Sequence, residues 1–95
     1  MPRYLSLIKF TEQGTRNIKQ STSRAAAFRN AAEKAGVKIE GQYWTVGACD
    51  GVLILRSDDE QKALRCLADL AALGNVRTET MQAFTDAEFG AIVGR

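Results

Sequence analysis

The chain has 95 residues, a length that suits one compact domain because two halves would each be too small for a reliable core. Hydrophobic residues make up 45% and charged residues 25%, an ordinary globular mixture that excludes a disordered tail and a fibrous repeat. The formal net charge of +2, from 13 Lys/Arg and 11 Asp/Glu, is too balanced to indicate a polyanionic partner.

Hydrophobic periodicity predicts a strand and then a helix in the first third of the chain. The strand is Tyr4–Phe10, whose Leu5 and Leu7 share one face. After a turn at residues 11–14, the helix has N-cap candidates at Ser21–Ser23 and a C-cap at Gly36. The serine-rich stretch can divide it into a short helical turn and a longer helix. The predicted apolar stripe of this helix is Ile18, Thr22, Ala25, Phe28, Ala32 and Ala35.

An antiparallel hairpin is predicted next, with strands at residues 37–48 and Val52–Leu55. A second helix is predicted to begin at the capping box formed by Ser57 and Glu60, and to end at Gly74. Its predicted stripe is Leu64, Leu67, Ala68 and Ala71, widened by Leu70 and Leu73.

Alternation over residues 76–84 predicts a fourth strand. A second capping box, formed by Thr85 and Glu88, opens a short terminal helix that carries Phe89, Ile92 and Val93.

The element order β-α-β-β-α-β predicts an α+β, ferredoxin-like fold with a short C-terminal helix. Right-handed crossovers place two helices on one face of a four-stranded antiparallel sheet, with strands one and three central. All residues of Val52–Leu55 are apolar, so both faces of the sheet centre must exclude water. Because the terminal helix is too short to cover a whole sheet, we expect a second copy to pack on the free face. The prediction is a homodimer in the form of a dimeric α/β barrel.

The absence of histidine and the spacing of the cysteines exclude several kinds of chemistry. Without His, the Ser-His-Asp triad, Cys-His thiol catalysis and His-ligated zinc or haem are excluded, and we expect neither metal nor cofactor. Cys49 and Cys66 form no Cys-x-x-Cys pair or disulfide framework, which favours a reducing compartment. The N-terminal apolar run ends at Lys9, too short for a signal peptide or membrane span. We therefore expect a cytoplasmic protein without a membrane partner.

Three segments resemble those of GYD-domain proteins: residues 4–14 (YLSLIKFTEQG), 43–50 (YWTVGACD) and 74–85 (GNVRTETMQAFT). The resemblance spans essentially the whole chain and implies a single GYD-like domain over residues 1–95. It also implies a small bacterial protein of the dimeric α/β barrel superfamily. In the Gly-x-Tyr-Asp motif of that family, this chain has Gly47 and Asp50 at the matching places and Cys49 where the tyrosine belongs. The biochemical activity of the family is largely unassigned.

The loop of residues 47–51 is the first candidate site, because a hairpin rim can hold a carboxylate and a thiol beside a cavity between sheet and helices. Asp-Gly is equally a favourable turn sequence, so a purely structural role stays open for Asp50. Cys49 is a candidate oxidisable thiol, although no basic residue lies near it in the sequence to lower its pKa.

Cationic and aromatic side chains supply the other candidates. Lys9, Arg16 and Lys19 follow the end of strand one, where they can hold a carboxylate or phosphate or simply remain solvated. Tyr43 and Trp44 point to opposite faces of their strand, so one at most lines a given cavity. Strand three has no aromatic residue on which a base could stack, which argues against nucleic-acid binding.

Two functional hypotheses follow. The first is a homodimeric module that binds or senses a small organic ligand without catalysis. The alternative is a cofactor-independent enzyme, such as a small monooxygenase or isomerase, by analogy of fold. In that case Asp50 would transfer a proton, Tyr43 would donate a hydrogen bond, and Arg16 or Lys9 would orient an anion. The hypotheses differ in whether Asp50 lies in a closed apolar pocket beside a second polar group or projects into solvent.

Overall fold

The computed structural model describes residues 1–94 and confirms the predicted α+β architecture. The strands pair antiparallel in the order β2-β3-β1-β4, so the predicted central pair is correct. A 3-10 turn at Ile18–Gln20 joins the first two helices. The elements are β1 (Arg3–Phe10), α1 (Glu12–Arg16), α2 (Ser21–Lys34), β2 (Lys38–Trp44), β3 (Gly51–Arg56), α3 (Glu60–Ala72), β4 (Val76–Ala83) and α4 (Asp86–Val93).

The hydrophobic core lies between one face of the sheet and the two long helices, α2 and α3. Leu53 and Leu55 of the central strand β3 point into it and are 4% and 0% exposed. The core is completed by Ala32 of α2, by Val37 and Ile39, and by Ala63, Cys66 and Leu67 of α3. Since both helices contribute to the same cluster, they cover the same face of the sheet.

The alternate residues of the same strands form the opposite face, which we call the open face. Its centre is apolar, since Leu5 is opposite Ile54, and Leu7 is opposite Val52, in the β1–β3 register. Met81 of β4 lies across from Leu5 on the other side and is exposed. The apolar residues of strand β3 therefore lie alternately on the face that the two long helices cover and on the open face.

Helix α1 replaces the turn predicted at residues 11–14. Thr11 caps it, because the Thr11 Oγ1 accepts a hydrogen bond from the Gly14 amide at 3.1 Å. The predicted serine N-cap of α2 is wrong. The 3-10 turn runs directly into α2, and the Ile18 carbonyl already accepts the Ser21 amide, so no side-chain cap forms there.

Helix α3 begins at Glu60, later than the capping box predicted at Ser57. Asp59 is the N-cap, and its Oδ1 accepts the Gln61 amide at 2.9 Å. The Ser57 side chain instead bonds the main chain of Asp59, donating to its carbonyl and accepting from its amide. Strand β2 ends at Trp44 rather than at residue 48, because residues 45–50 form the loop to β3.

The buried stripe of α3 also differs from the predicted one. Ala63, Cys66 and Leu67 are buried, whereas Leu64 and Leu73 are more than half exposed. Burial raises the pKa of the Cys66 thiol, with a smaller contribution from the Asp69 carboxylate. Cys66 acts here as a small apolar residue.

The accessible surface is large for the size of the chain. It measures 6400 Å², whereas a compact monomer of 10.4 kDa exposes about 5,400 Å². The radius of gyration is 14.1 Å, against about 12 Å for a compact domain of this length. The surplus surface accompanies the open face and the exposed apolar side chains of α4, which are Phe89, Ile92 and Val93. None of the helices in residues 1–94 is both long enough and apolar enough to span a membrane.

Candidate functional site

A cavity of about 90 Å³ lies beneath α2, at the end of the sheet where β1 meets the loop to β3. Its walls are mainly apolar, formed by aromatic and aliphatic side chains of the sheet and both long helices. The polar side chains that line it are Ser21 and Arg24 of α2, Gln42 and Tyr43 of β2, and Asp50. The apolar part of the wall includes Ile8, Phe10, Phe28, Trp44, Leu53, Leu70 and Val76.

Asp50 is held in the cavity wall by backbone pairing at the end of β1. Its amide donates to the Ile8 carbonyl at 2.8 Å, and its carbonyl accepts the Thr45 amide at 2.9 Å. The side-chain Oδ2 accepts the Phe10 amide, also at 2.9 Å. Asp50 is half-buried, so it lies neither in a closed pocket nor freely in solvent. One carboxylate oxygen, Oδ2, is therefore used to hold the strand end, while no described residue donates a hydrogen bond to the other, Oδ1.

Arg24 approaches the same cavity from the first turns of α2. Its Nη1 donates to the Asn17 carbonyl at 2.7 Å, which anchors the guanidinium, and Arg24 as a whole is half-buried. Within residues 1–94, no carboxylate lies within 4.0 Å of Arg24, and no cation lies within 4.0 Å of Asp50. Gln42 donates from Nε2 to the Ala25 carbonyl at 3.0 Å and thereby ties α2 to β2. The cavity therefore presents one positive and one negative group without ion-pair partners.

The aromatic pair of β2 divides between the two faces of the sheet. Trp44 pairs with Gly51 and lines the cavity. Tyr43 also borders the cavity, but its ring lies over Gly41 on the open face. A Cβ on Gly41 would lie 2.7 Å from Tyr43 Cε2, so a larger residue at this position would displace the ring. This opposite orientation follows from strand alternation.

The other candidates from the sequence lie away from this cavity. Lys9 and Cys49 line a second hollow of about 310 Å³ near the open face, together with Arg77 and Glu79. Arg16 is exposed on α1 and pairs with Glu12 at 3.1 Å. The structure thus brings Asp50, Tyr43 and Trp44 to one cavity and does not bring Lys9, Arg16 or Cys49 to it. Lys19 is exposed on the 3-10 turn.

Sequence reasoning missed Arg24, the cationic group of the cavity. A signal was available, because Arg24 precedes Phe28 by four residues and therefore shares its face of α2. It also missed the proximity of Cys49 to two cationic side chains, Lys9 and Arg77, which lie opposite each other in the β1–β4 register.

A charged cluster lies at the other end of the open face. The Glu40 carboxylate bridges Arg3 Nε at 2.8 Å and Arg56 Nη1 at 3.2 Å. The hydrogen bond from Arg3 is the main reason that the pKa of Glu40 is lowered, and the same bond raises the pKa of Arg3. Glu88 of α4 approaches Arg3 at 3.6 Å. Its pKa is lowered chiefly by the hydrogen bond from the Thr85 backbone.

Metal binding has no evident location in the described part of the chain. Residues 1–94 contain no cluster of three or more His, Cys, Asp or Glu side chains that could hold a metal ion.

Comparison with known proteins places these features in a family. A protein of Thermus thermophilus named "Glutamine synthetase and cystathionine beta-lyase binding protein" is 27% identical over 89 residues, which cover 93% of this chain and 94% of that protein. The crystal structure of TTHA0845, also from Thermus thermophilus, is similar in fold, with a TM-score of 0.57 at 23% identity. That match covers 90% of this chain and 95% of the other. The family model of the GYD domain matches residues 4–93, and the chain therefore belongs to the GYD domain family.

Proposed function

We propose that this single-domain chain is a homodimeric binding module that works without catalysis, with two copies packed through the open face. The observation that carries the proposal is the open face itself. The central strands present Leu5, Leu7, Val52 and Ile54 on the side opposite to both long helices. An apolar sheet centre of this kind is stabilised by a second layer.

The surface area supports a second copy as that layer. The chain exposes roughly 1,000 Å² more than a compact monomer of its mass. A standard protein interface removes about 800 Å² from each partner, so one such interface accounts for most of the excess.

The charges on the open face are compatible with two-fold pairing, in which one patch meets its own copy. Glu40 bonds both Arg3 and Arg56 within one subunit, so the cluster partly neutralises itself. Association therefore does not bring two uncompensated copies of this cluster together.

Light scattering with a matched pair of variants tests the assembly. Ile54→Asp places a carboxylate at the centre of the open face and is expected to convert the dimer to a monomer. Leu64→Asp makes a similar change on the exposed side of α3 and is expected to leave the dimer intact. A wild-type protein that scatters as a monomer at micromolar concentration would refute the proposed assembly.

The cavity beneath α2 supports binding of a small organic ligand as the role of the module. It combines apolar walls with the polar groups of Arg24, Gln42 and Asp50. The geometry of Asp50 favours binding over proton transfer, because its Oδ2 is committed to the Phe10 amide. In the alternative, a cofactor-independent enzyme, Asp50→Asn would abolish turnover while leaving ligand affinity nearly unchanged.

A protein partner is a second candidate, favoured by the name of the Thermus relative, which describes binding to two enzymes. Because the match covers almost the whole of both chains, a similar docking role is compatible with this chain. Sedimentation of the purified protein with glutamine synthetase or cystathionine beta-lyase from its own organism tests this. Co-sedimentation that survives high salt supports enzyme binding, and independent sedimentation of both pairs contradicts it.

We also propose a bacterial cytoplasmic location. It is supported by the two thiols, Cys49 and Cys66, which are both free.

A further inference from the structure

We propose that the cavity beneath α2 binds a small α-amino acid as a zwitterion, with the ligand carboxylate on Arg24 and the ligand ammonium on Asp50. This inference rests on the proposed function, whose ligand class it specifies.

The charges of the cavity carry the argument. Arg24 and Asp50 are both half-buried and line the same cavity, yet they lie more than 4.0 Å apart and neither has an ion-pair partner among residues 1–94. Partial burial of an unpaired charge is unfavourable. A ligand that carries one charge of each sign satisfies both groups, whereas a simple anion or cation satisfies only one.

Each charged group also keeps donors or acceptors available. Arg24 uses Nη1 for the Asn17 carbonyl, and its remaining N–H groups can donate to a carboxylate. Asp50 uses Oδ2 for the Phe10 amide, and its Oδ1 accepts from no described residue. Their existing bonds hold both side chains in place before a ligand arrives, which lowers the entropic cost of binding.

The remaining walls select the side chain of the ligand. Phe28, Leu53, Leu70 and Val76 are apolar, so they favour an aliphatic side chain over a charged one. A cavity of about 90 Å³ holds roughly six to nine non-hydrogen atoms at about 10–15 Å³ each. This size matches an amino acid such as valine or leucine.

Calorimetric titration of the full-length protein tests the ligand class with three probes: L-leucine, its α-keto acid, and the amine that its decarboxylation leaves. The keto acid lacks the ammonium and the amine lacks the carboxylate. We expect L-leucine to bind at least about tenfold more tightly than either, because each of them loses one charge-assisted hydrogen bond. A keto acid that binds as tightly as L-leucine, or a lack of heat with all three probes, would overturn the inference.

Two variants assign the charges to residues. Asp50→Asn retains an oxygen that can accept the Phe10 amide, so the strand end is preserved. It should lower the affinity for L-leucine about tenfold and leave the keto acid unaffected. Arg24→Met should lower the affinities for L-leucine and the keto acid and leave the amine unaffected. Arg29→Met, at an exposed position of α2, is the matched control and should change none of the three. The inference is wrong if Arg24→Met and Arg29→Met bind L-leucine equally well.

The proposed amino-acid site and the proposed dimer can be refuted independently of each other. Melting curves establish that each variant is folded, and the three-probe comparison on the wild-type protein does not depend on any variant. Light scattering of the same wild-type sample reports the dimer. A dimer that binds none of the probes refutes only the amino-acid site, and a monomer that binds L-leucine with the expected preference refutes only the assembly.

Discussion

At the scale of single residues, Gly14 marks the tightest contact between α1 and the start of β4. A Cβ at this position would lie 1.9 Å from the Asn75 carbonyl oxygen, which also accepts the Thr11 amide at 3.1 Å. We expect Gly14→Ala to lower the free energy of unfolding by about 1–3 kcal/mol, because backbone must move to admit the methyl group. Unfolding of the variant and the wild type in urea measures this difference in free energy. Gly90→Ala in α4, where a Cβ meets open space, is the control and should cause no loss; equal losses would contradict the contact.

The lowered pKa of Glu40 makes the stability of the fold depend on pH in the acid range. Its pKa is lowered in the folded chain, mainly by the Arg3 hydrogen bond, from an ordinary value of about 4.3. The unfolded chain therefore takes up the proton first, so the stabilisation is complete above about pH 4.3 and is lost as the pH falls through the folded pKa. We expect Glu40→Gln to flatten this acid decline in melting temperature. Glu33→Gln, at an exposed position of α2, should leave the decline as steep as in the wild type.

At the scale of elements, α4 is a short helix whose apolar side chains lack a cover within the subunit. Its capping box is complete, since Thr85 Oγ1 accepts the Glu88 amide at 3.1 Å and Glu88 Oε1 accepts the Thr85 amide at 2.7 Å. A helix of eight residues is nevertheless marginal on its own in water. The 3.6 Å approach of Glu88 to Arg3 places the start of α4 beside the open face, within reach of a second copy.

This position predicts that the stability of α4 depends on protein concentration. Hydrogen exchange of the α4 amides should slow as the concentration rises through the dimer dissociation constant, because a partner then covers Phe89 and Ile92. Thr85→Ala should speed that exchange at every concentration, by a loss of about 1 kcal/mol of cap stabilisation. Protection of α4 that is the same in dilute and concentrated samples would show that α4 contributes nothing to the assembly.

At the scale of the whole molecule, the excess surface predicts that thermal stability is coupled to association. The melting temperature of the wild-type protein should rise with protein concentration by mass action. Ile54→Asp, which removes the apolar centre of the open face, should melt at a temperature independent of concentration. Differential scanning calorimetry over a roughly hundredfold range of protein concentration compares the melting temperatures of the wild type and the variant. A wild-type midpoint that does not move would contradict the coupling.

The sequence by itself determined the features that depend on neighbouring residues or on the order of elements along the chain. The capping box of Thr85 and Glu88 was predictable because its partners lie within one helical turn. Strand alternation likewise placed Leu5 and Leu7 on one face of β1, and the order of elements identified the ferredoxin-like sheet with β1 and β3 at its centre.

Only the tertiary structure decided the features that depend on how helices dock on the sheet. Docking turned Ala63 and Cys66 inward and left Leu64 exposed, although hydropathy alone favours the reverse. It also brought Arg24 of α2 to the cavity of Asp50, while Cys49, next to Asp50 in the chain, faces a different hollow. The reason is physical: periodicity defines which residues share a face, but packing against other elements sets the rotation of each helix and therefore which distant side chains meet.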